Sequence, residues 1–280
     1  MKTALLACAL TLLASAPARN AQAADALVER GRYLVNGIAA CGNCHTQKGP
    51  QGPLPGMDLA GGQAFPEKHF TAFASNITPD METGIGKWTD AQVIRALREG
   101  RRPDDSIIGP PMPIALYRGI SDADAKAIVA YLRSVPAVKH IAPKSDYRTP
   151  MPLSYGPPLK RVPDVPRSNK VAYGRYLAGP LGHCMECHSK PRPDGSADLV
   201  NGLGAGGMVF RGPWGESKAT NLTPTGLAKW TDDEIKKAIT TGLRPDGKQL
   251  KPPMGMSYYA NMSPADLDAL VAYLRTLPPK

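Results

Sequence analysis

Two pentapeptides, Cys41-Gly42-Asn43-Cys44-His45 and Cys184-Met185-Glu186-Cys187-His188, carry most of the information in this chain. In each, two thiols flank a pair of residues, the spacing that lets both add to the vinyl groups of one haem. An imidazole follows at once, where it falls under the iron. A methionine comes after each motif at nearly the same distance: Met112 lies 67 residues beyond His45, and Met254 lies 66 beyond His188. Both methionines follow Pro-Pro, whose fixed dihedral holds a loop extended. The pattern predicts two covalently attached haem c groups. Cys41 and Cys44 would bind one and Cys184 and Cys187 the other. The irons would sit between His45 and Met112 and between His188 and Met254.

Two blander readings compete for the cysteines. A redox dithiol needs no histidine at the fifth position, and a four-cysteine zinc site would have to be shared between the motifs. Sharing is disfavoured because each motif recurs inside its own complete half. Among the other methionines, Met256 aligns with Ile114, and Met57, Met81, Met151 and Met208 align with no methionine. His69 and His140 have no repeat partner and His183 adjoins a cysteine; all three read as solvated or structural.

The repeat is visible along most of the chain at an offset near 142 residues. Gly31-Arg32-Tyr33-Leu34 matches Gly174-Arg175-Tyr176-Leu177, and Asn76-Ile77-Thr78-Pro79 matches Asn221-Leu222-Thr223-Pro224. Lys87-Trp88-Thr89-Asp90 matches Lys229-Trp230-Thr231-Asp232, and Val129-Ala130-Tyr131-Leu132-Arg133 matches Val271-Ala272-Tyr273-Leu274-Arg275. A long period repeated only twice indicates tandem duplication rather than a solenoid. The expected organisation is a leader over 1–23, a first domain over 24–139, a proline-rich linker over 140–168 and a second domain over 169–280. Such a linker is stiff, and it is expected to run along both domains and fix their spacing.

Each half reads as a few helices. The first covers Leu27–Asn36 or Val171–Ala178. Gly31 and Gly174 inside it cost about 1 kcal/mol each relative to alanine, so a second helix is expected to cross there. The crossing partner is the last helix, whose apolar stripe is Ala125, Ile128, Val129, Leu132 or Leu267, Leu270, Val271, Leu274. Thr89-x-x-Gln92 and Thr231-x-x-Glu234 predict capping boxes, with stops at Gly100 and Gly242. Ser121 and Ser263 open the last helices. No alternating strand pattern is evident, so Gly49–Ser75 and Pro191–Thr220 read as long glycine-rich loops. Trp88 and Trp230 serve either core packing or an indole bond to a haem propionate. Asn76-Ile77-Thr78 and Asn221-Leu222-Thr223 fit an N-glycosylation pattern, but a turn role is preferred.

Composition supports exported, compact, loop-rich units. The 280 residues hold 28 glycines and 29 prolines but only 6% aromatics. A buried porphyrin would supply the missing apolar bulk. Lys2, the apolar stretch Ala4–Ala14 and the small residues of Ala21-Gln22-Ala23 form an export signal with a cleavage site. Leu5-Leu6-Ala7-Cys8 resembles a lipoprotein acceptor only faintly. No later segment approaches the roughly 18 apolar residues of a transmembrane helix. After Cys8 departs with the leader, all remaining cysteines belong to the two motifs, and a periplasmic location is expected. Losing Lys2 and Arg19 lowers the formal net charge from +10 to +8, with the excess concentrated in the linker and second half. A salt-sensitive partner with an acidic patch follows from that distribution. Nucleic acid is excluded, because no Lys/Arg cluster is interleaved with aromatics.

The run Asn76-Ile77-Thr78-Pro79-Asp80, then Thr83-Gly84-Ile85-Gly86-Lys87-Trp88-Thr89-Asp90, then Pro110-Pro111-Met112-Pro113, resembles the bacterial dihaem c-type cytochromes. It is similar in particular to cytochrome subunits of periplasmic dehydrogenases, of the quinoprotein alcohol and the nicotinate type. The alcohol dehydrogenase subunits usually carry a third haem domain, whereas this chain has two motifs. The resemblance implies a mainly α fold of two tandem class I cytochrome c domains with crossed first and last helices. It also implies electron transfer from a dehydrogenase to a downstream cytochrome or oxidase, without substrate chemistry. The competing reading is a dihaem enzyme of the peroxidase or thiosulfate dehydrogenase type. That would need one iron with an open or unusual axial position, yet both halves offer a methionine in the same context. A gas-binding or storage module would need an open iron as well.

Overall fold

The computed structural model describes residues 16–280, with side chains from residue 22 onward; most of the expected leader lies outside that range. Each half is mainly helical. In the first, α1 (Ala16–Asn36) leads to the single turn α2 (Cys41–His45), which bears the first motif. Then come α3 (Asp90–Glu99), the short α4 (Ile114–Tyr117) and α5 (Asp122–Ser134). The second half repeats the series as α6 (Lys170–Tyr176), α7 (Cys184–Cys187), α9 (Asp232–Thr241), α10 (Met256–Tyr259) and α11 (Pro264–Leu274), with the short α8 (Pro224–Leu227) inserted before α9. A wider π-helical turn over Leu177–Leu181 links α6 to α7.

The crossing predicted at the glycines is present in both halves. A Cβ on Gly31 would sit 1.9 Å from the backbone oxygen of Ala127 in α5, and one on Gly174 would sit 1.8 Å from that of Ala269 in α11. Only a bare Cα lets these backbones approach so closely. The apolar stripes close the crossing: Ala125, Ile128, Val129 and Leu132, with Leu267, Leu270, Val271 and Leu274, are all buried. Thr89 with Gln92 and Thr231 with Glu234 form complete capping boxes, and Gly100 and Gly242 end their helices in the left-handed conformation. Helix α1 begins eleven residues earlier than the apolar periodicity indicated. Its added turns are rich in alanine, which favours helix without leaving an amphipathic pattern.

The glycine-rich loops are not structureless, which corrects the expectation of loops without strands. The first contains the short pair β1 (Lys48–Gly49) and β2 (Gly52–Pro53), then the hairpin β3 (Ala64–Glu67) and β4 (Phe70–Phe73). The second contains the hairpin β6 (Val209–Gly212) and β7 (Gly215–Lys218). These strands bury few side chains, so the alternation that marks a strand in sequence never develops.

The proline-rich segment adds β5 (Asp146–Tyr147) to the edge of β4 and then follows the first half closely. Tyr147 Oη donates to the Pro110 carbonyl at 3.0 Å, Tyr155 Oη to the Ile108 carbonyl at 2.9 Å, and Asp122 N to the Val162 carbonyl at 2.9 Å. It reaches the second half at Arg167, which lies 3.4 Å from Asp266 and over the ring of Tyr173.

The halves share one apolar core running from Leu34, Ile38 and Tyr117 to Leu181, Met185 and Tyr259. A reciprocal polar contact flanks it. Tyr33 of α1 enters the N-terminus of α11, accepting from Ser263 N at 3.0 Å and donating to Asp266 at 2.7 Å. Tyr176 of α6 does the same at α5, accepting from Ser121 N at 3.1 Å and donating to Asp124 at 2.8 Å. Each half therefore completes the helix cap of the other.

Candidate haem sites

Each motif is introduced by a strained residue. Ala40 and His183, at equivalent positions, both take the left-handed conformation, with φ of 45° and 39°. For residues other than glycine this costs on the order of 1 kcal/mol or more, and its recurrence marks a geometry that the fold maintains. The helical turn that follows sets the two cysteines of each motif three residues apart, on one face. All four are half-buried and none is in a disulfide. Each is partly enclosed by protein and partly open to solvent. Burial pushes the free thiols up, Cys41 and Cys187 to about 12 and Cys44 and Cys184 to about 11. Among the described residues no three His, Cys, Asp or Glu side chains converge as a metal-ion site.

The imidazoles are held alike in both halves. His45 Nδ1 lies 2.7 Å from the carbonyl of Ser75, and His188 Nδ1 lies 2.8 Å from that of Thr220. A carbonyl can only accept, so Nδ1 carries the proton and Nε2 keeps its lone pair free for a metal. Burial also lowers the pKa of both rings, which favours the neutral, ligating form. The loop supplying those carbonyls is pinned by glycine. Gly61 N donates to the His45 carbonyl and Gly206 N to that of His188, each at 2.7 Å. Both glycines have positive φ, and a Cβ on either would meet the backbone at Ser75 or Thr220.

Met112 and Met254 each stand just before a short helix, α4 or α10, and each packs half-buried against the core. Both preceding Pro-Pro bonds are cis. Free cysteine pairs, oriented imidazoles and soft thioethers on the following loops form a donor set that fits haem c. His69 is exposed, and His140 Nδ1 lies 2.9 Å from the Ala60 carbonyl; neither has a counterpart in the other half.

The two motifs meet at the shared core. Gly42 packs against Tyr258, Gly182 against Ile38, and the His183 ring stands edge-on to Tyr117 at 5.8 Å. His183 also lies 3.7 Å from Glu186, but this is no ion pair. Burial lowers His183 to about 4 and raises Glu186 to about 7, so no pH has both predominantly charged.

Several supporting residues escaped sequence reasoning. Arg133 and Arg275 each brace the segment before the middle helix, Arg133 through the Ile85 and Trp88 carbonyls and Asp90, Arg275 through Leu227, Trp230 and Asp232. Their signal was present in the repeated Val-Ala-Tyr-Leu-Arg. The preferred turn role of the asparagines is realised. Asn76 Oδ1 accepts from Thr78 N at 2.9 Å and Asn221 Oδ1 from Thr223 N at 2.8 Å. Trp88 and Trp230 are half-buried against the core.

The cytochrome c family model matches residues 28–136 and again 171–278. The chain belongs to the cytochrome c family. It is an electron-transfer protein of two tandem cytochrome c domains carrying two covalently bound haem c groups. A nicotinate dehydrogenase component of Pseudomonas putida is 35% identical to it over 263 residues, 90% of this chain and 21% of that protein. The fructose dehydrogenase cytochrome subunit of Gluconobacter japonicus is 32% identical, over 90% of this chain and 53% of its own. A diheme cytochrome c-type protein of Cereibacter sphaeroides is 29% identical over 85% of this chain and 82% of its own. The chain thus spans about a fifth to a half of the two dehydrogenase components. No helix among the described residues is long and apolar enough to cross a membrane.

Proposed function

We propose that this cytochrome passes electrons from a periplasmic dehydrogenase to a downstream cytochrome or oxidase through two closed, six-coordinate haem sites. Cys41 and Cys44 attach the first haem, ligated by His45 and Met112; Cys184 and Cys187 attach the second, ligated by His188 and Met254. The observation that carries this reading is the Nδ1 bond of each imidazole to a loop carbonyl, which leaves Nε2 as the donor. The haems, when bound, supply a reversible one-electron change at iron. The chain orients each imidazole through Ser75 or Thr220 and offers a soft sulfur that favours the reduced state. With a histidine and a methionine both holding each haem, no position would be left for a substrate.

The chain is read as exported, with residues 1–23 removed. Domains cover 24–139 and 169–280, and 140–168 forms the linker. The cytochrome subunits of fructose, gluconate and alcohol dehydrogenases among its relatives support a dehydrogenase as donor. The deciding experiment is the absorption spectrum of the purified holoprotein with a redox titration and added carbon monoxide. A near-infrared sulfur–iron band, two positive potentials and no carbon monoxide response are expected. A high-spin signal, or carbon monoxide binding at one haem, would reject the closed sites.

A further inference from the structure

The domains are pseudo-symmetric, but the loops that present their methionines are anchored differently. In the second domain the loop is tied across the interface. Asn43 Nδ2, inside the first haem motif, donates to the carbonyl of Pro253 at 3.0 Å, the residue immediately before Met254. Gly255, immediately after it, lies against Asn43 and Ala40. Asn43 is itself held, because Lys48 Nζ donates to its backbone oxygen at 2.7 Å and to Oδ1 at 2.8 Å. Lys48 thus occupies Oδ1 and leaves the amide nitrogen facing the methionine loop. The loop has a second anchor within its own domain, Ser217 Oγ to the Pro252 carbonyl at 2.8 Å.

Among the described residues the reverse tie is missing: Glu186 occupies the position equivalent to Asn43, and its carboxyl lies 3.7 Å from His183 Nδ1. Among the described residues the Met112 loop is anchored by the linker instead. Tyr147 Oη donates to the Pro110 carbonyl, and Tyr147 and Met151 crowd Gly109.

We propose that Asn43, a residue of the first haem motif, is a positioning residue for Met254, the axial methionine of the second haem. The inference rests on the ligation reading above, in which Met254 binds the second iron. Its consequence is directional: a change in the first motif alters the second haem, whereas the first haem's methionine answers to the linker.

The test uses the oxidised holoprotein titrated with imidazole, which competes with a methionine for iron, followed through the near-infrared sulfur–iron band. Asn43→Asp keeps an acceptor for Lys48, removes the donor and adds a charge; Asn43→Ala removes donor and acceptor without adding one. Both variants are expected to raise imidazole affinity at one haem about fivefold, the factor carried by one hydrogen bond of about 1 kcal/mol, and to leave the other haem unchanged. In a Met254→His background, where that sulfur is gone, Asn43→Asp is expected to have no effect on the remaining band. In a Met112→His background the effect is expected to persist. If neither Asn43 variant changes either affinity, or both haems weaken together, the positioning role is overturned. If Met254→His leaves the whole sulfur band in place, the ligation reading itself fails, a separate result.

Discussion

His183 shows how a single side chain at the junction between the haem motifs is constrained. It sits in the left-handed conformation, faces the Tyr117 ring and approaches Glu186 without pairing with it. Burial holds its pKa at about 4, below the ordinary histidine value of 6.5. A depressed value means that the neutral ring is the one the fold accepts. Its contribution to stability is full above pH 6.5 and is lost as pH falls toward 4. Asparagine also tolerates positive φ, so His183→Asn is the suitable control. Between roughly pH 7 and 4, denaturant midpoints of the native holoprotein should fall more steeply than those of His183→Asn. Parallel curves would contradict the assignment. At this scale the cysteines and histidines were legible because covalent haem attachment demands a fixed local spacing. Asn43 was not, because its acceptor lies 210 residues away.

Helices carried clear signals, and hairpins carried almost none. The capping boxes at Thr89 and Thr231 and the stripes on α5 and α11 are local patterns, readable within one or two turns of chain. Strands β3 and β6 gain their order from a backbone ladder rather than from buried side chains. Pro66 in the first hairpin and the glycines bounding the turn of the second obscure even that. The crossing of α1 with α5 and of α6 with α11 was readable only as an anomaly, a glycine tolerated mid-helix in both copies. Replacing Gly31 or Gly174 with alanine would drive a methyl group into a facing carbonyl. Each substitution should lower stability by about 3 kcal/mol or more, beyond the usual cost of overpacking. Chemical denaturation would measure this, and a loss below about 1 kcal/mol would mean the helices separate easily.

For the molecule as a whole, the two domains behave as one body in this geometry, because core and caps are shared. Tyr33→Phe should remove two bonds at the α11 terminus and leave Asp266, which is 1% exposed, short of a donor. A loss of about 1–3 kcal/mol is expected, and Tyr176→Phe should cost less, because Asp124 keeps two bonds from Arg30 at 2.8 and 2.9 Å. The native holoprotein should unfold in one calorimetric transition, and the double variant should split it into two. A single transition in the double variant would show that the apolar core alone couples the halves. The duplication was plain in the sequence. The reciprocal capping was hidden, since Gly-Arg-Tyr-Leu looks the same whether its tyrosine serves its own domain or the other.

That exchange of tyrosines also bears on inheritance. After a gene doubles, its halves are ordinarily free to drift apart, each answering only to its own fold. Here Tyr33 and Asp266 stand 233 residues apart and contribute to a single helix end. A change accepted at one narrows what is accepted at the other, so across descendants the two copies must diverge as a matched pair.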